Sequence, residues 1–146
     1  MEEEQKLVEL INPDTLMPPR GFAHAAVAHT NRTLHFAGQV AADKSGIIQH
    51  RGDLVGQFDL TLRNMRTCVE AAGGRMDQVV KLNYYVLDVQ DYLARRKELG
   101  EVYRKYFGRH FPAMTLVEVK GLYNDGALIE IDGVAALGDK AVDSRQ

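Results

Sequence analysis

Cysteine is almost absent from this sequence of 146 residues, in which Cys68 is the only one. A single cysteine cannot form an intrachain disulfide, and a chain of this length buries enough surface to fold without one. Cys68 adjoins the apolar stripe of a predicted helix and has no obvious basic partner, so the pattern favours a packed thiol over a nucleophile. These features indicate a reducing compartment, and we expect a cytoplasmic protein.

Long apolar runs and a strong charge imbalance are also lacking. No run approaches the ~18 apolar residues of a membrane span, and residues 1–5 are acidic where a secretory signal would be basic. The formal net charge is −2, so the chain has no overall positive field for nucleic acid, although its predicted helices carry several arginines and lysines. We therefore expect neither a membrane nor a nucleic-acid partner.

Motifs of metal, nucleotide and serine-nucleophile sites are missing as well. The five histidines have no metal-ligand spacing, and no cysteine pair accompanies them. The glycines form no phosphate-binding loop, and no serine lies in a Gly-x-Ser-x-Gly turn. We expect no metal and no cofactor.

What the sequence does contain is one domain over residues 1–146, with a core at about 11–137 between polar ends. The patterns predict strands at 7–11, 25–28, 33–37, 79–87, 113–119 and 127–136. They predict one helix between Asp53 and Gly73, and a second from Asp91 to Gly108. Residues 29–32 suit a hairpin connection between two antiparallel strands, and residues 121–126 end in a strong turn signal before the last strand.

This order of elements predicts an α+β fold in which two helices cover one face of a mixed or mostly antiparallel sheet. In the final strand Glu130 and Asp132 share one face with Leu128, while Ile129 and Ile131 share the other. The opposite face of the sheet stays uncovered. We expect that face to be apolar and therefore to require oligomerisation.

Two features could carry chemistry. Glu130 and Asp132 are carboxylates on one strand face, which suits acid and base catalysis, although a solvated sheet face is the alternative. His24 follows a loop stiffened by Pro18 and Pro19, where it could face a cleft, although a hydrogen-bonded structural histidine is the alternative.

Several segments occur in an order and spacing that are specific. They are FAGQV at 36–40, CVEAAGG at 68–74, VKLNYYVLD at 80–88, FPAMTLVEV at 111–119 and IEI at 129–131. Together they resemble the Rid (RidA/YjgF) superfamily of reactive-intermediate deaminases. The resemblance implies a chorismate-mutase-like fold and a homotrimer, with an inner barrel of sheets and a ligand cleft at each subunit interface. It also implies hydrolysis of imines and enamines without a cofactor or metal.

The sequence departs from the deaminase type at the positions that would hold substrate. The arginine that follows Pro-Ala in the family, and grips the substrate carboxylate, is Met114 here. Ala37 replaces a serine, Leu116 a cysteine, and Phe22 lies in the segment that replaces a family tyrosine. Glu130 matches the family glutamate that positions or activates water. The chain thus resembles an arginine-lacking subgroup.

These observations lead to three hypotheses. The first is a trimeric protein that binds a small reactive metabolite between subunits and hydrolyses it with water activated by Glu130, with Arg20 or His24 replacing the missing positive charge. The second is a non-catalytic ligand-binding or regulatory trimer. The third, ribonuclease action, is disfavoured by the acidic charge balance.

Overall fold

The computed structural model of the chain describes residues 6–139. Its elements are β1 (Val8–Ile11), β2 (Ala25–Ala28), β3 (Arg32–Gln39), α1 (Leu54–Ala71), β4 (Val79–Val86), α2 (Val89–Ala94), α3 (Arg96–Phe107), β5 (Ala113–Glu118) and β6 (Ile129–Leu137). The combination of strands and helices confirms the predicted α+β class. Within residues 6–139 no helix is both long enough and apolar enough to cross a membrane.

The main sheet has four strands in the order β3-β6-β4-β5. The β3–β6 and β6–β4 pairs are antiparallel, whereas β4 and β5 are parallel, so the sheet is mixed. The strands β1 and β2 form a separate antiparallel ribbon. β6, the last strand in the chain, lies at the centre of the main sheet, where both its edges are paired.

The predicted hairpin between the strands at 25–28 and 33–37 is wrong. β2 pairs with β1, and β3 pairs with β6, so the connection between β2 and β3 carries the chain from one sheet to the other. The side chains of Thr30 and Arg32 donate to the carbonyl oxygens of Leu137 and Gly138, which ties this connection to the end of β6. The turn signal before β6 likewise joins strands that are not paired, because β4 lies between β5 and β6.

The helix α1 begins and ends as its sequence predicts. The Asp53 side chain accepts a hydrogen bond from the Gly56 backbone at the N-terminus, and Gly73 follows the C-terminus with a positive φ of 84°. The core lies between the helices and the main sheet. Its largest fully buried side chains from α1, β4 and β6 are Phe58, Leu62, Met65, Leu82, Tyr84, Ile129 and Ile131.

The second predicted helix differs from the sequence-based expectation in two ways. It begins at Val89 rather than Asp91, because Asp88 is an N-cap that accepts from the backbone amides of Gln90 and Asp91. It is also divided at Arg95 into a short helix, α2, and a longer helix, α3. The apolar face of α3 buries Leu99 in the core, as its spacing predicts.

The uncovered face of the main sheet is mostly polar, with Val117 and Val134 among its apolar members, so the expected apolar face is wrong. Because side chains alternate along each strand, most apolar side chains face the helices and the remaining side chains lie on the open face. The polar members of that set are Thr33 and His35 of β3, Lys81, Asn83 and Tyr85 of β4, Thr115 of β5, and Glu130 and Asp132 of β6. Several bond to one another, as Lys81 Nζ does to Thr115 Oγ1 at 2.8 Å. An apolar sheet face therefore gives no argument for assembly.

Candidate functional site

Glu130 lies on the open face of β6, directly beside the backbone of β3. Between Phe36 and Gln39 the strand β3 contains one residue more than β6, which makes a bulge of the kind common near active sites. Gly38 is in this bulge, and a Cβ atom on it would come within 2.7 Å of the carboxyl carbon of Glu130. The carboxylate therefore occupies space that exists only because residue 38 has no side chain.

The second carboxylate of β6, Asp132, is held by its neighbours on β4. Asn83 Nδ2 donates to one oxygen at 2.7 Å, and the Tyr85 hydroxyl donates to the other at 3.0 Å. The bond to Asp132, with a further contribution from burial and from the charge of Glu130, raises the pKa of Tyr85. Asp132 is thus a fixed acceptor, while the Glu130 carboxylate makes no hydrogen bond within the described residues. Within residues 6–139 no group of three or more His, Cys, Asp and Glu is placed to hold a metal ion.

The approach of β6 to this site is set by the buried side chain of Gln57 on α1. Its amide nitrogen donates to the carbonyl oxygens of His50 and Gly126 at 3.2 and 2.9 Å, and its amide oxygen accepts from the Leu128 backbone at 2.8 Å. All three bonds are made with backbone groups that lie outside the helices and strands. Gln57 therefore connects α1 with the segment that precedes Glu130.

Met114 and Leu116 lie on the other side of the sheet. In the parallel β4–β5 register they are opposite Leu82 and Tyr84, which are buried under the helices. Both side chains are half-buried and pack against this core. β5 is an edge strand of the main sheet, so Met114 and Leu116 form part of an apolar rim at the helix-covered face.

The segment that contains Arg20, Phe22 and His24 runs beside the start of β5. Ala23 forms a parallel bridge with Ala113, and its backbone amide donates to the Pro112 carbonyl oxygen at 3.0 Å. The rings of Phe22 and His24 are in edge-to-face contact, with centroids 5.3 Å apart. These two rings consequently lie at the start of β5, next to Met114, whereas the Arg20 side chain is exposed.

His24 also has a structural role in that segment. Its backbone amide donates to Asn12 Oδ1 at 2.9 Å, and its Nε2 lies 2.7 Å from the Met17 carbonyl oxygen. Since a carbonyl oxygen only accepts, Nε2 carries a proton, and Nδ1 is the nitrogen left for another partner. The hydrogen-bonded histidine that the sequence suggested as an alternative is therefore present.

The sequence-predicted site residues thus fall into two groups. The edge group consists of Phe22, His24, Met114 and Leu116 at the outer margin of β5. The face group consists of Glu130 and the bulge at Ala37 and Gly38 on the open face. Because the side chains of a sheet point to opposite faces, Met114 and Glu130 of one chain cannot contact the same small molecule. Arg20 belongs to neither group by any contact.

Three residues of the site were missed from the sequence. Gly38 had a signal, since it directly follows the strand predicted at 33–37, and a glycine within a strand often marks a bulge. Gln57 had one as well, because it is a polar residue three positions after Leu54 on the buried stripe of α1. Tyr85 had none, because its partner Asp132 lies on a strand whose register with β4 no local pattern specifies.

Comparison with known proteins gives a consistent result. The family model described as Endoribonuclease L-PSP matches residues 14–137. A RutC family protein of Pyrococcus horikoshii is 39% identical over 103 residues, covering 70% of this chain and 77% of that protein. The human 2-iminobutanoate/2-iminopropanoate deaminase is 32% identical over 108 residues, covering 74% of this chain and 75% of the human protein.

A solved structure agrees with these similarities. A protein of unknown function from the Rid family of Yersinia pestis has a TM-score of 0.81 and 33% identity to this chain, and the alignment covers 90% of this chain and 100% of that one. The mixed sheet backed by helices is therefore the fold of this Rid family structure, as the sequence motifs imply. The family match extends from the loop after β1 to the end of β6. The chain belongs to the Rid (RidA/YjgF) superfamily, through the family whose model is described as Endoribonuclease L-PSP.

Proposed function

We propose that this protein is a homotrimer that binds a small reactive metabolite in clefts between subunits. In each cleft the edge group of one subunit faces the face group of the next. The observation that carries this proposal is the separation of Met114 and Glu130 on opposite sides of one sheet. The edge group and the face group cannot be adjacent within one chain, but they can be adjacent across a head-to-tail contact between two subunits. Three such contacts close a ring.

We further propose that the ligand is an imine or enamine and that Glu130 activates the water that hydrolyses it. The carboxylate takes a proton from water as the water oxygen bonds to the imine carbon, and the resulting carboxylic acid gives that proton to the imine nitrogen, which becomes an amine. Glu130 then transfers the hydroxyl proton of this adduct to the amine as the carbon–nitrogen bond breaks, which releases ammonia and leaves a carbonyl product. The similarity to the human deaminase supports this reaction class, and no cofactor is required for it.

The edge group constrains which substrates fit. A thioether at Met114 and an isobutyl group at Leu116 present an apolar rim where the deaminase type has an arginine, so the cleft lacks a bidentate carboxylate partner. Nδ1 of His24, whose segment pairs with the start of β5, and the exposed Arg20 four residues before it are the candidate polar groups for this rim. We propose that the preferred substrate carries no carboxylate, or carries one that His24 or Arg20 contacts.

The direct test is hydrolysis of imines generated in situ, with and without a carboxylate. We expect the wild-type protein to accelerate their hydrolysis, and Glu130→Gln to lower the rate by about 100-fold or more, since positioned bases contribute about that factor. Asp132→Asn is the matched control, because it removes a neighbouring carboxylate that is already hydrogen-bonded. Equal rates for wild type and Glu130→Gln would refute the role of Glu130.

A complementation experiment tests the cleft itself. Met114→Glu alters only the edge group, and Glu130→Gln alters only the face group, so each variant alone should be inactive. When equal amounts of the two variants assemble at random, about a quarter of all clefts, one of the three in each mixed trimer, pair an intact edge with an intact face, and activity should return to about that level. Failure to recover activity, with the mixed trimer verified by mass and each variant folded by circular dichroism, would contradict an inter-subunit cleft.

A second candidate function is ligand binding without turnover. The observation that favours it is the apolar rim at Met114 together with Ala37 at the bulge, which leaves few polar groups to polarise a substrate. It predicts saturable binding with no hydrolysis in the same assay. Ribonuclease action is not favoured, because Glu130 and Asp132 on one face repel backbone phosphates. The single cysteine supports the cytoplasmic location that the sequence predicts.

A further inference from the structure

A groove lies between α1 and α3, on the helical side of the molecule, away from Glu130. Its volume is about 370 Å³, large enough for a small anion with an organic substituent. The lining residues are His50, Gly56, Asp59, Arg63, Arg66, Lys105 and Tyr106, with Leu60. Neither the edge group nor the face group of the proposed cleft contributes to it.

Three cations converge on this groove from two helices. Arg63 and Arg66 are one helical turn apart on α1, and Lys105 approaches from α3. Lys105 Nζ is 2.8 Å from an oxygen of Asp59, and Arg66 Nε is 3.7 Å from Glu70 Oε1. Arg63 forms no ion pair within residues 6–139, so its guanidinium is available to an anion from solution.

The Arg66 side chain is oriented by an aromatic ring. Its guanidinium carbon lies 4.8 Å from the centroid of the Tyr106 ring, and Lys105 Nζ lies 5.0 Å from the same centroid. The Tyr106 hydroxyl in turn donates to a carboxylate oxygen of Asp59, which fixes the ring between the helices. Arg66 Nε is on the side of Glu70, whereas its two terminal nitrogens make no hydrogen bond within residues 6–139 and can donate to an oxygen atom in the groove.

His50 completes the groove at the start of α1. It has a positive φ of 55°, a conformation that costs free energy for a residue with a side chain. Its ring rests against Gly56, where a Cβ atom would lie only 2.9 Å from ring atoms Cγ and Nδ1. A glycine inside a helix is itself less favourable than an alanine. The positive φ of His50 and the helical glycine at position 56 are both unfavourable, and together they allow the His50 imidazole to lie in the groove.

We propose that this groove binds the phosphate group of a small phosphate monoester. Phosphate matches the donor set, because Arg63 and the edge of Arg66 offer paired N–H groups and Lys105 adds a point charge. The carboxylates of Asp59 and Glu70 limit the net positive charge, so the groove suits one dianionic group better than a polyanion such as RNA. The binding is independent of the imine chemistry proposed for Glu130.

Titration of the full-length protein with phenyl phosphate and with inorganic phosphate, followed by calorimetry and by amide NMR shifts, tests the site. We expect saturable binding, with the largest amide shifts in α1 and α3. Arg63→Ala should lower the affinity about tenfold, because the loss of one charged hydrogen bond weakens binding by about that factor. Arg96→Ala is the matched control. It removes the same charge from the start of α3, outside the groove, and should bind as the wild type does. Glu130→Gln should also bind normally.

Three results would overturn the proposal. One is equal affinity in Arg63→Ala, Arg96→Ala and wild type, which would indicate a general charge effect. Another is phenyl phosphate binding no tighter than sulfate, which would indicate an unspecific anion site. The third is displacement of phenyl phosphate from the groove by a short RNA that binds more tightly, which would assign the surface to nucleic acid.

Discussion

The α-carbon of Gly38 on β3 lies against the carboxyl group of Glu130 on β6, close enough that no side chain fits between them. The bulge in β3 creates this contact, since it places an extra residue opposite Asp132. The position of the proposed catalytic carboxylate is therefore determined by a glycine about ninety residues earlier in the chain.

Gly38→Ala should displace the Glu130 carboxylate without unfolding the protein. The group that must move is the far end of a flexible side chain on an open face, so little stability should be lost. We expect the rate of imine hydrolysis, or the affinity for a cleft ligand, to fall by about tenfold or more. Gly121→Ala is the control, because nothing lies within 4 Å of a Cβ atom there. Unchanged activity in Gly38→Ala would show that the carboxylate position is not critical.

Gly133→Ala should destabilise the fold. A Cβ atom at this position would overlap the backbone carbonyl oxygen of Lys81 and lie 2.7 Å from Cζ of the Phe36 ring. The Lys81 carbonyl belongs to a central strand and cannot withdraw as a side chain can. We expect a loss of about 1–3 kcal/mol in the free energy of unfolding by urea, as for other overpacked cores. Equal stability of Gly133→Ala and Gly121→Ala would contradict this account.

Gln57→Leu should also lower stability, although leucine suits a helix. It removes the partner of the Leu128 amide and of the Gly126 carbonyl oxygen, while the His50 carbonyl oxygen keeps the bond from the Asp53 amide. We expect a loss of about 2–4 kcal/mol, because buried unpaired polar groups cost about 1–3 kcal/mol each and some relax. Gln90→Leu makes the same change on an exposed face of α2 and should alter stability by less than about 0.5 kcal/mol. Chemical denaturation compares the two.

Alkaline pH should unfold the protein through its buried tyrosines. Burial, with a smaller contribution from the neighbouring phenols, raises the pKa of Tyr84 and of Tyr103 well above the ordinary value. A folded pKa above the unfolded one means that the stabilisation is complete below about pH 10 and is lost as pH rises further. Absorbance of tyrosinate at alkaline pH should therefore rise in two stages, the second coinciding with loss of circular dichroism.

Two variants locate that effect. Tyr103→Phe removes a buried phenol whose hydroxyl donates to the His110 carbonyl oxygen at 2.6 Å, and it should lower the amplitude of the second stage by one tyrosine. Tyr123→Phe, whose side chain is 98% exposed, is the control and should leave the pH at which circular dichroism is lost unchanged. A single stage, complete before any change in circular dichroism, would refute the assignment.

Local patterns in the sequence were sufficient for most of the elements of this fold. The N-cap at Asp53, the apolar stripe of α1 and the alternation around Glu130 each depend on residues within a few positions, and all agree with the structure. The family motifs also predict a role for Glu130 and the replacement of an arginine by Met114, and these two stay predictions. Each of these conclusions rests on neighbours in the chain or on residues whose type alone is informative.

Only the tertiary structure decided which strands pair and which side chains meet. The turn signals before β3 and β6 mark real changes of direction, but the strands that they join do not pair with each other. Hydrogen bonding at Leu137 ties the first connection to the end of β6, and β4 lies between β5 and β6. The separation of Met114 from Glu130 follows from the parallel register of β4 and β5, which no local pattern specifies. Strand register depends on the packing of distant segments against one another, and for that reason the division of the site between two faces was beyond the reach of the sequence.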